Sequence, residues 1–496
     1  MTNKISIVGE KVFTQQDQTK FAELSGDFNP LHVSDTYSRR TIYGKQLIHG
    51  INALLYGLSL SSQNYSAKVE IKSLKCSFKK PFFLDSSVQV LGEADANQIR
   101  LDFFQDGLSK SKLSCHLGES SKRLVGFNPY IDGSMHWDER HPNDTSINFL
   151  KSYSQIETLN KIRKLDADSV YGESLLQVFD PNFIAHLLTF TREVGMKCPG
   201  TNALFAGLAM QTKDSEVGKV ILNDQIHFKA ESLDNRFNLL DLNGESCYYK
   251  SSIQAFIRPS AVKQKALSCI NDKVDSGAFA TQKALVIGGS RGLGEITSKV
   301  LLAGGAEVLL TYNHGLDEAN LILDEALQFP YMSASICHLN VQNLSESAIA
   351  NILDFSPTHV YYFPTPKILT SLKIGEFDLN LFDKFNQFYV QSFSKIVVPL
   401  LSKCRSHLFV PSTIFLEEPG ISFPEYCSSK SMLEGLLDYF KKNFAESYIY
   451  HPRLPKILTD QTVSNDLSGC LDGLDTMLDC IEIFAELSGF ASKNEV

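Results

Sequence analysis

Apolar and polar positions alternate at helical spacing near the start of the chain. Phe21 and Leu24 share one face of a segment that opens at Thr14, a residue suited to capping it, and Gly26 is placed to close it in a left-handed turn. Residues 48–60 are apolar enough for a buried helix. The pattern then changes to strands over 69–78, 86–92, 98–105 and 108–117. The last two are joined by Asp106-Gly107, a pair that favours a tight hairpin, and the final strand is assigned from that context because it lacks strict alternation. Residues 123–150 are rich in Asn, Asp, Pro, His and Gly, carry the only tryptophan, Trp137, and predict a connecting segment. A second buried helix is expected over 183–194. Residues 221–237 echo residues 71–85, each with a strand, a Phe-Lys pair and a turn ending in Leu-Asp, which predicts a degenerate second copy of the first unit. Residues 261–282, polar and rich in Lys, Ser and Asp, read as a linker. From Lys283 the chain alternates strand and helix: a strand at 284–287, a helix at 296–303 and a strand at 306–312, the order of an α/β unit.

At 496 residues the chain exceeds one core, and about 100 to 200 residues per domain predicts three units: 1–122, 123–262 and 283–496, with 263–282 as the linker. A composition of 43% hydrophobic and 21% charged residues is that of a soluble protein, and a net charge of −9 argues against a general nucleic-acid binder. The ten cysteines form no C-x-x-C pair, so neither a zinc site nor a disulfide framework is expected, and they fit a reducing cytoplasm. No apolar run approaches the roughly 20 residues that span a bilayer, so no membrane partner is expected.

Chemistry concentrates in Leu24-Ser25-Gly26-Asp27-Phe28-Asn29-Pro30-Leu31-His32. Asp27 falls just past a helix end. Pro30 forbids that helix from continuing, so Asp27 and His32 are expected on one tight loop facing one pocket. An acid and a base held that close suit adding or removing water across a double bond. The run, with Leu47-Ile48-His49-Gly50-Ile51 downstream, resembles the signature of MaoC-like, R-specific enoyl-CoA hydratases, whose fold is a hot dog: a curved antiparallel sheet around one long helix. The resemblance implies catalytic Asp27 and His32, and it implies a thioester oxygen held by the Gly50 N–H at a helix start. Gly50 equally suits close packing, and His49 is expected to be structural. The second copy lacks the motif: Asp180 and His186 differ in spacing and are expected to be structural, while residues 196–202 are expected to line a channel. Basic clusters at Arg39, Arg40 and Lys45, and at Lys72, Lys75, Lys79 and Lys80, read as solvated faces or as contacts for a phosphopantetheine carrier, either CoA or an acyl carrier protein.

In the C-terminal unit Gly288, Gly292 and Gly294 give G-x-x-x-G-x-G between a strand and a helix, the context a dinucleotide pyrophosphate needs. This spacing resembles the short-chain dehydrogenase/reductase family. Its Tyr-x-x-x-Lys pair is supplied by Tyr426 and Lys430, and its serine by Thr413 or the adjacent Ser412. The resemblance assigns cofactor contacts to Gly288, Ser290, Arg291, Gly292, Leu293, Gly294, Asn313 and Asn340. No acid ends the strand before Asn313 and Arg291 can meet a 2′-phosphate, so NADP(H) is expected over NAD(H). Two departures stand out: Phe363-Pro364-Thr365-Pro366 replaces the family's Asn-Asn-Ala-Gly turn, and Tyr389 stands where the family has an active-site Asn.

Together these expectations describe an α+β double hot dog followed by a Rossmann-like, doubly wound parallel sheet. The implied enzyme reduces a 3-oxoacyl thioester with NADPH and interconverts (R)-3-hydroxyacyl and trans-2-enoyl thioesters, with no metal, in the cytoplasm, as a homo-oligomer such as a dimer. The alternative is a hot-dog half that binds thioesters or scaffolds assembly beside a reductase acting on an unrelated carbonyl.

Overall fold

Thr14 and Asp17 exchange hydrogen bonds in a capping box that starts the first helix, Gln15–Ser25, and Gly26 ends it at a left-handed φ of 77°. Asn29 then caps a short helix, Pro30–Val33, with Pro30 in its first turn. His32 is therefore helical and not on a loop, because a proline that cannot continue one helix is well suited to begin the next. The computed structural model describes residues 4–119, 156–157, 170–213, 225–246, 248–368, 376–417, 423–463 and 469–493. The connecting segment expected at 123–150 and the first residues of the 221–237 echo lie outside them. The chain divides into two units, Met1–Ser260 and Ala261–Val496.

The first unit is built on one ten-stranded sheet. Its strands are β1 (Ile5–Val12), β2 (Val69–Phe78), β3 (Ser87–Ala94), β4 (Gln98–Gln105), β5 (Leu108–Glu119), β6 (Ile156–Glu157), β7 (Ala203–Thr212), β8 (Gln225–Asp234), β9 (Leu239–Glu245) and β10 (Tyr249–Ile257). Their order, β1-β3-β4-β5-β2-β7-β10-β9-β8-β6, reads the same from either edge once each half is numbered separately. The halves join where β2 and β7 run antiparallel, with Ser73 opposite Gln211 and Ser77 opposite Gly207. Asp106 and Gly107 both take positive φ, 54° and 72°, as a type I′ turn requires, and close the β4–β5 hairpin. Helix Gly50–Ser62 lies against β1 and β4, Leu60 facing Gly9 and Gly57 facing Phe103. Helix Pro181–Met196 lies against β8 and β10, Phe190 meeting Phe228 and Phe183 meeting Tyr249 edge-on at 5.6 and 6.0 Å. Both helices enter one continuous core, so the residues expected as two domains fold as one unit.

The strand order corrects the sequence echo. The strand that follows the helix in the second half is β7, and β7 is the topological counterpart of β2. The 221–237 segment contains β8, the counterpart of β3. A Phe-Lys pair before a turn is too short a pattern to fix which strand is matched.

The second unit carries six parallel strands: β11 (Lys283–Ile287), β12 (Glu307–Tyr312), β13 (Ser333–His338), β14 (His359–Tyr362), β15 (His407–Phe409) and, after the short β16 (Ser412–Thr413), β17 (Ile449–Tyr450). Their order is β13-β12-β11-β14-β15-β17. Alternate residues of β11 serve opposite faces: Ala284 and Val286 join a core with helices Gly292–Ala303 and Gly473–Lys493, while Leu285 and Ile287 join another with helices Ser392–Pro399 and Pro424–Asn443. A sheet buried on both faces is the doubly wound arrangement. Residues 263–282 are no linker. They include the helix Leu267–Asn271, and Leu267, Ile270, Val274 and Phe279 are buried in the core beneath Gly292–Ala303, because four apolar residues hidden in a polar stretch suffice to dock it. The first strand extends to Lys283, and the helix expected from 296 begins at Gly292.

Candidate functional site

Asp27 is 2% exposed although it is a carboxylate. Its backbone N–H is held by Ser25 Oγ at 3.1 Å, and its Oδ1 accepts from the Asn29 N–H at 3.2 Å. Its Oδ2 accepts from the Thr191 hydroxyl at 2.6 Å, across from the second half. His32 donates from Nδ1 to the Leu47 carbonyl at 2.9 Å and stacks on His49 with ring centroids 4.0 Å apart. His49 Nε2 lies 3.1 Å from the Asp27 carbonyl and 3.7 Å from Oδ2. Asp27, His32 and Gly50 line one pocket, with Phe78, Phe82, Phe205 and Phe256 as apolar walls and the exposed Lys79 and Lys80 also lining it. Gly50 is the first residue of its helix, so its N–H has no acceptor within that helix.

Burial governs the charges. It pushes the Asp27 carboxyl up to about 7, against the opposing hydrogen bonds from Thr191 and Asn29. It pushes His32 down to about 4, with the Leu47 carbonyl opposing and the Arg258 cation adding to the fall. His49 is lowered well below the usual imidazole range, first by burial and then by His32. At neutral pH the pocket therefore holds a neutral imidazole and a carboxyl that can carry a proton.

In the second unit Tyr426 and Lys430 lie on the Pro424–Asn443 helix, four residues apart and on one face. The Thr413 hydroxyl hydrogen-bonds the Tyr426 phenol, whereas Ser412 donates to Glu434, which is itself gripped by Arg453 at 2.6 Å. The pair left open by the sequence thus separates: Thr413 faces the tyrosine and Ser412 does not. Lys430 Nζ donates to the Pro411 carbonyl at 2.8 Å and sits 4.2 Å from the Tyr389 ring centroid. Tyr389, in the π-helical turn Gln387–Gln391, reaches Thr365 of the Phe363–Pro366 stretch, their oxygens 2.5 Å apart. Burial lowers Lys430 to about 7 and raises Tyr426 to about 12.

The glycine loop has the geometry a dinucleotide requires. A Cβ on Gly294 would stand 2.1 Å from the Gly288 carbonyl oxygen, so only glycine lets the helix start this close to the strand end. No side chain caps this helix, leaving its first N–H groups to a ligand. Arg291, expected to meet a 2′-phosphate, is instead 3.4 Å from Asp460, whose carboxylate also flanks Gly292. Lys367, lowered to about 8 by burial with Asp460 opposing, adds a second cation. Ser290 and Leu293 complete the loop, Asn313 follows β12, and the Asn340 side-chain oxygen Oδ1 accepts from the Gln342 N–H at 3.0 Å. Among the described residues no cluster of three or more His, Cys, Asp or Glu side chains is placed to hold a metal ion. None of their helices is long and apolar enough to cross a membrane.

Thr191 and Gly195 were not legible as site residues. They lie one turn apart on a helix whose sequence shows only apolar periodicity. Asp180 and His186, expected to be structural, cap their helix and bond Ser246 at 3.0 Å respectively.

A search of curated proteins returned no match. Solved structures similar to the chain include a short-chain dehydrogenase from Burkholderia cenocepacia in complex with NADP, 16% identical, with a TM-score of 0.37, covering 42% of this chain and 91% of that one. Another is FolM alternative dihydrofolate reductase 1 from Brucella canis complexed with NADP, 14% identical, with a TM-score of 0.38, covering 43% and 91%. A third is a short-chain dehydrogenase/reductase from Serratia marcescens, 16% identical, with a TM-score of 0.37, covering 42% and 91%. Residues 3–102 match the family model described as MaoC like domain, and the stretch that carries Asp27, His32 and Gly50 is thus a MaoC-like dehydratase domain.

Proposed function

We propose that the chain is a bifunctional acyl-thioester enzyme. Its first unit, a double hot dog, interconverts trans-2-enoyl and (R)-3-hydroxyacyl thioesters, and its second is an NADP(H)-dependent reductase of 3-oxoacyl thioesters. The observation that carries this reading is the one pocket lined by Asp27, His32 and Gly50. Because His32 Nδ1–H is donated to a carbonyl, the lone pair of the neutral ring is on Nε2. That lone pair takes a proton from water as the water oxygen bonds to Cβ of the enoyl group. The double-bond electrons shift towards the thioester carbonyl, and the charge on its oxygen is met by the Gly50 N–H at the helix start. Asp27 gives its proton to Cα and recovers one from His32. Dehydration is the same path reversed. Aromatic walls suit an acyl chain, and Lys79 and Lys80 suit the phosphates of CoA or an acidic carrier protein.

In the second unit NADPH, when bound, supplies a hydride to the 3-oxo carbon. Tyr426 gives the proton to the carbonyl oxygen, Thr413 orients both, and Lys430, in its protonated form, steadies the phenolate left behind. The reading is supported by the Tyr426, Thr413 and Lys430 cluster and, in the same unit, a helix start that only a glycine at 294 allows to approach the strand end. Two assays test the proposal. Hydration of crotonyl-CoA must yield (R)-3-hydroxybutyryl-CoA, and an (S) product would contradict it. Oxidation of NADPH by acetoacetyl-CoA must fall about 100-fold or more in Tyr426→Phe, and unchanged turnover would refute the proposed acid.

A further inference from the structure

We infer that Thr191, from the half without the motif, is a positioning residue for Asp27: its hydroxyl fixes the carboxyl that the first half contributes, and Gly195 makes room for it. The catalytic consequence rests on the hydratase reading of the pocket; the contact itself does not. Thr191 is 4% exposed and donates to Oδ2 at 2.6 Å, the shortest hydrogen bond of Asp27 among the described residues. One turn further along the same helix, a Cβ on Gly195 would stand 2.3 Å from Oδ1, so the helix backbone lies directly against the carboxyl. The Gly195 carbonyl in turn accepts from Asn29 Nδ2 at 2.8 Å, which ties the loop carrying Asp27 to this helix.

One donor on each oxygen, Thr191 on Oδ2 and the Asn29 N–H on Oδ1, pins the plane of the carboxyl. A hydrogen bond donated to a carboxylate also favours its ionised form. Titratable groups near Asp27 belong to other elements. His49, at the start of helix Gly50–Ser62, lies 3.7 Å from Oδ2, and His32 is stacked on it. Arg258 acts on His32. Helix Pro181–Met196, which carries Thr191, also carries Arg192 and Glu193, joined to each other at 3.0 Å. Thr191 is the contact that can be deleted without changing the charge of any of them.

The test compares wild type, Thr191→Val and Thr191→Ser in crotonyl-CoA hydration across pH. Thr191→Val is expected to move the upper limb of the kcat/KM profile to higher pH by about one unit, since a hydrogen bond to a charged group is lost. It is expected to lower kcat about tenfold while KM changes by less than about twofold, because position and not substrate contact is altered. Thr191→Ser, which keeps the hydroxyl, is expected to restore both. An unmoved limb in Thr191→Val, or an equal defect in Thr191→Ser, would overturn the inference. A titration of the 13C-labelled aspartate carboxyls, with Asp27→Asn assigning the resonance, reads the same shift without any turnover. Should wild type not hydrate the probe, the hydratase reading fails while this titration still decides the role of Thr191; an Asp27 resonance that titrates identically in both proteins would exclude it. If Thr191→Val does not fold, Thr191→Ala takes its place in both measurements.

Discussion

Asp27 and His32 are driven in opposite directions by the same burial, one towards holding a proton and the other towards losing it. A pair of groups pushed apart in this way is how one pocket supplies both an acid and a base near neutral pH. The kcat/KM for hydration is therefore expected to be bell-shaped, with limbs near about 4 and about 7 that belong to the interacting pair. A profile flat from pH 4 to 9 would contradict this. The same shifts enter stability with opposite signs. Asp27 rises from 3.8 to about 7 on folding, so across that window the folded chain binds a proton the unfolded chain has lost, and this contribution falls as pH rises. His32 drops from 6.5 to about 4, so its contribution rises with pH over that window. Asp27→Asn removes only the first. Its melting temperature relative to wild type is expected to climb by about 5 °C between pH 5 and pH 8, followed by thermal unfolding, whereas a constant offset would contradict the buried-acid account.

At the level of elements, the Pro181–Met196 helix does more than fill its half of the sheet. Its close approach depends on Gly195, and Gly195→Ala would drive a methyl into the Asp27 carboxyl. Overpacking of that kind costs about 1–3 kcal/mol, so the variant is expected to melt lower and to hydrate crotonyl-CoA much more slowly. A variant with wild-type melting and rate would show that the approach is not needed. The first helix, its Gly26 cap, the β4–β5 hairpin and the strand-turn-helix at Gly288 were legible because each depends on neighbours in sequence. Contacts between distant segments were not. Thr191 meets Asp27 across 164 positions, Arg291 meets Asp460, and the apolar anchors Leu267 and Phe279 turn an apparent linker into core. The Asp27 motif could be read, but the residue that holds it could not, because an isolated threonine on an apolar helix carries no local signal.

Across the whole molecule, two units with separate cores carry two constellations of side chains, and the product of one proposed reaction is the substrate of the other. The proposed function accounts for both within a single chain: Tyr426 with Thr413 and Lys430 would form the alcohol, and Asp27 with His32 would remove it as water. The nine described cysteines are unpaired thiols, so neither core depends on a disulfide among the described residues. The most direct measurement supplies acetoacetyl-CoA and NADPH to wild type and to Asp27→Asn and follows the products by chromatography. Wild type is predicted to form crotonyl-CoA through 3-hydroxybutyryl-CoA. Asp27→Asn is predicted to stop at 3-hydroxybutyryl-CoA, with hydration of added crotonyl-CoA down by at least about 100-fold. Equal rates of hydration in the two proteins would contradict the assignment of Asp27 and, with it, the central claim.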